Sequence, residues 1–87
     1  MSEEQKNQAQ LIKVTVERIT GLTFEFEVDP NEKVIAIAQK IEEKTGVPVN
    51  QLRLFLKGRV FNFNETLSEQ GIVDGSTLQF SFRGPGG

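Results

Sequence analysis

The chain has 87 residues, 37% hydrophobic and 25% charged, with a net charge of −2 and neither cysteine nor histidine. That length supports one modest hydrophobic core, and the missing residue types exclude disulfides, thiolate nucleophiles, imidazole acid–base catalysis and the usual zinc ligand sets. Charges of both signs are interspersed and no apolar run reaches about eighteen residues, so no nucleic-acid footprint and no membrane-seeking or membrane-spanning segment is visible. The polar start, Met1-Ser2-Glu3-Glu4-Gln5-Lys6, offers no signal peptide, and an intracellular, cytoplasmic monomer is expected, with the nucleus open to it in a eukaryotic cell.

Residues 1–10 are too polar to offset their ordering entropy and predict a disordered arm. From Leu11, Ile12, Val14 and Val16 alternate with Lys13, Thr15 and Glu17, the period of a half-buried strand. Thr20-Gly21 marks a turn, and Phe24, Phe26 and Val28 then share one face of a second strand, which predicts a hairpin. Asp29-Pro30-Asn31 interrupts the pairing, because proline has no N–H to donate. Val34, Ile37, Ala38 and Ile41 form the apolar stripe of a helix over about Lys33–Thr45, stopped by Gly46 and Pro48. Leu52, Leu54 and Leu56 predict a third strand that carries Phe55 on its second face. Gly58 turns the chain into a very short strand, Val60-Phe61. Residues 65–71 predict one helical turn closed by Gly71, and Asp74-Gly75 turns into a last strand, Thr77–Phe82, with Leu78 and one of Phe80 and Phe82 in the core. This order predicts an α+β chain: a β-grasp over residues 11–83, in which one helix crosses a mixed sheet of four to five strands. The first and last strands lie parallel at its centre. Residues 84–87 form a flexible tail ending in Gly86-Gly87.

Several segments, taken in order and at ungapped spacing, carry a family likeness. They are Ile19-Thr20-Gly21, Glu27-Val28-Asp29-Pro30, Lys40 through Pro48, Gln51 through Gly58, Glu65-Thr66-Leu67-Ser68, Gly71-Ile72, Ser76-Thr77-Leu78, and Arg83 with Gly86-Gly87. From Leu11 to Gly87 the chain resembles the ubiquitin family. The resemblance implies a protein modifier rather than an enzyme: the carboxylate of Gly87 is adenylated by an ATP-dependent activating enzyme, passed to the thiols of conjugating enzymes and, with ligases, joined to a substrate lysine by an isopeptide bond that a deconjugating protease can cut. Gly86 keeps the tail narrow, and Arg83 corresponds to an arginine used in recognition by the activating enzyme.

The resemblance also implies a docking patch, whose counterparts here are Ile19, Phe55 and Ser81 with Gln79 at its edge. Ser81 and Gln79 make this patch less apolar than ubiquitin's. Phe55 either meets a partner or packs against the tail or Phe82. Gly84-Pro85 replaces a leucine and an arginine, so ubiquitin's own processing enzymes should recognise the tail badly. The main chain-forming lysine of ubiquitin corresponds to Arg59 and another to Asp74; an arginine stays protonated and cannot act as the amine nucleophile. Lys40, Lys44 and, in the arm, Lys6 are the possible acceptor lysines, with a solvated helix face an adequate alternative account of Lys40 and Lys44. The arm resembles that of SUMO, which implies an added-strand groove bordered by Leu22, Phe24, Phe26, Ile35 and Lys40, although Phe24 and Phe26 suit the core.

Two other functions fit a diglycine on this fold. One is a sulfur carrier with a terminal thiocarboxylate; the other is a non-covalent interaction domain of a larger protein, with Gly-Pro-Gly-Gly as linker. Catalysis has no candidates, since Ser68, Ser76 and Ser81 lack an imidazole base and neither a catalytic carboxylate pair nor a phosphate-binding glycine loop is present. No cofactor is implied.

Overall fold

The computed structural model describes residues 10–82. Strands β1 (Ile12–Arg18) and β2 (Thr23–Val28) are followed by helix α1 (Ile35–Thr45), a 3-10 turn (Val49–Gln51), β3 (Leu52–Leu56), β4 (Arg59–Val60) and β5 (Thr77–Phe82). The sheet order is β2-β1-β5-β3-β4, with β1 and β5 parallel at the centre and antiparallel pairs on either side.

Register follows from the period-2 patterns, because residues opposite one another share a face. Val14 faces Phe26 and Val16 faces Phe24; Val16 also faces Leu78, and Leu54 faces Phe80. These side chains meet the helix stripe of Val34, Ile37, Ala38 and Ile41, all fully buried. Val34, Ile37 and Ile41 each contribute about 1.5–3 kcal/mol by leaving water. Leu67, Ile72 and Phe61 from the connecting segments close the core. This is the β-grasp expected from the element order.

Four details differ from the sequence reading. The helix begins at Ile35 rather than Lys33: Val34, at the N-cap, has no side-chain cap, and the first free N–H groups are met from outside, Val34 donating to the Glu65 carbonyl and Ile35 to that of Phe63. Lys33 forms a bridge with Thr66 instead. Residues 65–71 hold the one helical-type bond expected, from the Gln70 N–H to the Thr66 carbonyl, with Gly71 left-handed after it, but they form turns rather than a regular helix. Within them the Thr66 hydroxyl accepts from the Glu69 N–H while the Glu69 carboxylate accepts from the Thr66 N–H, a reciprocal capping box without a helix behind it. The short strand is Arg59–Val60, whereas Phe61 donates its N–H to the Leu54 carbonyl and turns its ring inward. The 3-10 turn at Val49–Gln51 has no counterpart in the sequence reading.

The β3–β4 turn is two residues long, and both Lys57 (φ 54°) and Gly58 (φ 82°) lie in the left-handed region, the geometry that matches the twist of a hairpin. Gly46, at φ 81°, ends the helix the same way and donates to the Glu42 carbonyl.

Candidate functional site

The helix covers one face of the sheet, which leaves the other free. On that outer face Phe55 lies opposite both Gln79 and Val60, and Arg53 lies opposite Ser81; Gln79 is in turn level with Glu17 of β1. Three of the four patch residues suggested by the sequence, Phe55, Gln79 and Ser81, are thereby brought together by strand register. A shallow depression of about 270 Å³ sits there, lined by Arg53, Phe55, Gly58, Val60 and Ser81. Its centre is apolar, from Phe55 and Val60, and its rim is cationic, from Arg53.

Ile19 does not line this depression. It lies just past the end of β1 in the loop to β2 and is 94% exposed. Val60, 57% exposed, was missed. The signal for it was available: a two-residue turn at Lys57-Gly58 sets Val60 opposite Phe55, whereas extending the short strand onto Phe61 obscured which face Val60 takes.

Phe55 does not pack on Phe82. The two point to opposite faces: Phe82 lies opposite Leu52, joins the core margin, and places its ring centroid 6.0 Å from that of Phe80. The Arg18 guanidinium sits 4.1 Å above the Phe82 ring, a cation–π contact that fixes the end of β5. The Phe55 ring is only half-buried, so part of its apolar surface remains for a partner.

The remaining candidates are dispersed. Lys40 is half-buried and Lys44 exposed, both on α1, behind the sheet. In the groove beside edge strand β2, Phe26 is buried and Phe24 packs against the core, as the alternative reading held. Leu22 remains 43% exposed, and Ile35 is half-buried. Arg83, Gly86, Gly87 and Lys6 lie outside the described residues. Among the described residues no cluster of carboxylates is placed to hold a metal ion, and no helix is long and apolar enough to cross a membrane.

A single helix across a five-stranded mixed sheet, with an apolar depression on the uncovered face, defines a ubiquitin-like domain. A profile described as Ubiquitin family matches residues 12–84; the chain belongs to this family. It is 35% identical over 65 residues to "Ubiquitin-like protein NEDD8" of Dictyostelium discoideum, a match covering 75% of this chain and 84% of that protein. It is 33% identical over 79 residues to "Ubiquitin-like domain-containing protein CIP73" of Lotus japonicus, covering 91% of this chain but 11% of that protein. Among solved structures, the UBL domain of Plasmodium falciparum Dsk2 superposes with a TM-score of 0.75 at 25% identity, covering 82% of this chain and 96% of that one. Domains of this family are generally non-enzymatic and act through the enzymes and substrates that bind them.

Proposed function

We propose that this chain is a ubiquitin-like protein modifier, joined through the Gly87 carbonyl to substrate lysines after ATP-dependent activation. The observation that carries this reading is the extent of the NEDD8 match, which takes in 75% of this chain and runs over 84% of that protein's length. Gly86-Gly87 lies within five residues of Phe82, a stretch that spans at most roughly 18 Å when extended and that, lacking Cβ atoms at its end, suits a narrow enzyme channel. In the activation step the Gly87 carboxylate attacks the α-phosphate of ATP and releases pyrophosphate. An enzyme thiol then displaces AMP, and a substrate amine displaces the thiol. The Phe55 depression is the docking face for the proteins that handle the modifier, and Arg83 the charge read by the activating enzyme.

A second reading is a non-covalent interaction domain. It is favoured by the CIP73 match, which takes in 91% of this chain as one small part of a long protein. Mass spectrometry of the tagged protein recovered from its native cells separates the two. Isopeptide bonds from the Gly87 carbonyl to lysines of other proteins establish the modifier. A natural chain that continues past Gly87 as an ordered protein, or a carboxylate found only free, selects the interaction domain, and a thiocarboxylate would replace both with sulfur transfer.

A further inference from the structure

The β3–β4 hairpin has a depression on each side. The second one, of about 300 Å³, opens on the helix side of the sheet, away from Phe55, and its lining includes Leu56, Phe61, Ile72 and Leu78 with Lys57 and Arg59. Phe61, Ile72 and Leu78 are buried and make an apolar floor, while Lys57 and Arg59 are exposed at the rim. The Arg59 guanidinium lies 5.5 Å from the centre of the Phe61 ring, which holds that charge over the floor. Gln70, the buried polar residue of the wall, is already committed: its carbonyl oxygen accepts from the Asn62 N–H and its amide donates to the Glu65 carboxylate.

Charge is unevenly distributed around this hairpin. Between Glu43 and Glu65 the chain carries Lys44, Arg53, Lys57 and Arg59 and not one carboxylate. A cavity with an apolar floor and a cationic rim is complementary to an apolar group flanked by carboxylates. A nucleic acid fits less well, because the lining offers one aromatic ring and two cations, not the basic groove with successive aromatic faces that a single strand tracks.

We propose that this cavity docks an acidic peptide segment of a partner protein: one apolar side chain enters over Phe61, Ile72 and Leu78, and neighbouring carboxylates meet Lys57 and Arg59. The site is separate from the Phe55 face and does not depend on the modifier reading. A single molecule of this protein can therefore hold two partners, one on each side of the hairpin.

The test is a titration of the ¹⁵N-labelled full chain with the end-blocked peptide Asp-Glu-Phe-Glu-Asp, run beside its neutral counterpart Asn-Gln-Phe-Gln-Asn. The expected result is saturable amide shifts at Arg59, Phe61, Ile72 and Leu78 with a Kd of about 1 mM or below, weakened by salt. The neutral peptide and the Lys57→Glu/Arg59→Glu variant should each bind at least about tenfold more weakly. Should that variant lose its dispersed spectrum, Arg59→Gln, which removes one charge from the exposed rim, supplies the same comparison. The proposal is overturned by the absence of saturable shifts up to about 5 mM, by equal binding of the neutral peptide, by shifts confined to Arg53, Phe55, Val60 and Ser81, or by a short single-stranded oligonucleotide binding these residues more tightly than the acidic peptide.

Discussion

Leu54 and Phe55 are neighbours on one strand, yet their truncation should have opposite consequences. The Leu54 side chain is fully buried and opposite Phe80, so Leu54→Ala removes apolar contact and leaves a cavity, at a cost of about 2–5 kcal/mol. For a chain of this length the whole stability is on the order of 4–13 kcal/mol, and the variant loses a large part of it. Phe55 faces outward and keeps a minority of its surface exposed; Phe55→Ala forfeits most of the 1.5–3 kcal/mol that a fully buried phenylalanine contributes, about 1–2 kcal/mol, but leaves no enclosed cavity. At about 4–8 °C per kcal/mol for a domain of this size, Phe55→Ala lowers Tm by roughly 4–16 °C and Leu54→Ala by about twice as much. The exposed part of the ring, by the same arithmetic, strengthens partner binding by about 0.5–1 kcal/mol, so a partner of the outer face loses roughly two- to fivefold in affinity for Phe55→Ala. With no Trp or Tyr in the chain, unfolding is followed by far-ultraviolet circular dichroism, in heat and in urea with the slope m held common. If the two variants lose equal stability, the Phe55 ring is part of the core and the outer face is not a docking surface.

The other expectations concern single contacts. Gly46→Ala places a Cβ at φ 81° and should destabilise the helix end by about 1–2 kcal/mol, visible as a Tm drop with no change in the spectrum's fold. Thr66→Ala removes the acceptor for the Glu69 N–H and should cost about 1 kcal/mol, with faster amide exchange across residues 66–71 as the local readout. Arg18→Ala deletes the cation above Phe82 at about 0.5–1 kcal/mol; Arg18→Lys should recover part of it, and ring-proton shifts of Phe82 report the contact directly. In the Phe82→Leu background the same Arg18→Ala change should cost measurably less, and an undiminished cost would show that the guanidinium acts elsewhere.

Much of the fold was legible because each strand here has one wet and one dry face, and the helix has one apolar stripe. Val14, Val16, Phe26, Val28, Leu54 and Leu78 could be assigned from alternation alone, and their burial follows from it; between Phe80 and Phe82 alternation does not choose, and Phe80 is the one fully in the core. What alternation cannot report is any hydrogen bond whose acceptor comes from a distant segment. The helix start illustrates this: the apolar stripe from Val34 suggests a beginning near Lys33, but the N-terminal N–H groups of Val34 and Ile35 are met by the carbonyls of Glu65 and Phe63, some thirty residues later, and Ile35 is the first helical residue. Docking that segment onto the helix also anchors residues 65–71: Leu67 donates to Glu32 and Ser68 to Pro30, while within the segment Gln70 donates back to Thr66 and Gly71 to Ser68.

The same limit governs the candidate site. Phe55 was recognisable as a large apolar residue on the wrong face of its strand, but that it shares a depression with Val60 and Arg53 depends on the Lys57-Gly58 turn adopting two successive left-handed residues. One residue of slip would exchange the two sides of the hairpin, placing Arg59 beside Phe55 and Val60 in the core. The turn thus decides which side chains face each depression, and Lys57, in a conformation that costs a residue with a Cβ about 1–2 kcal/mol, is where the chain holds that register against its local preference.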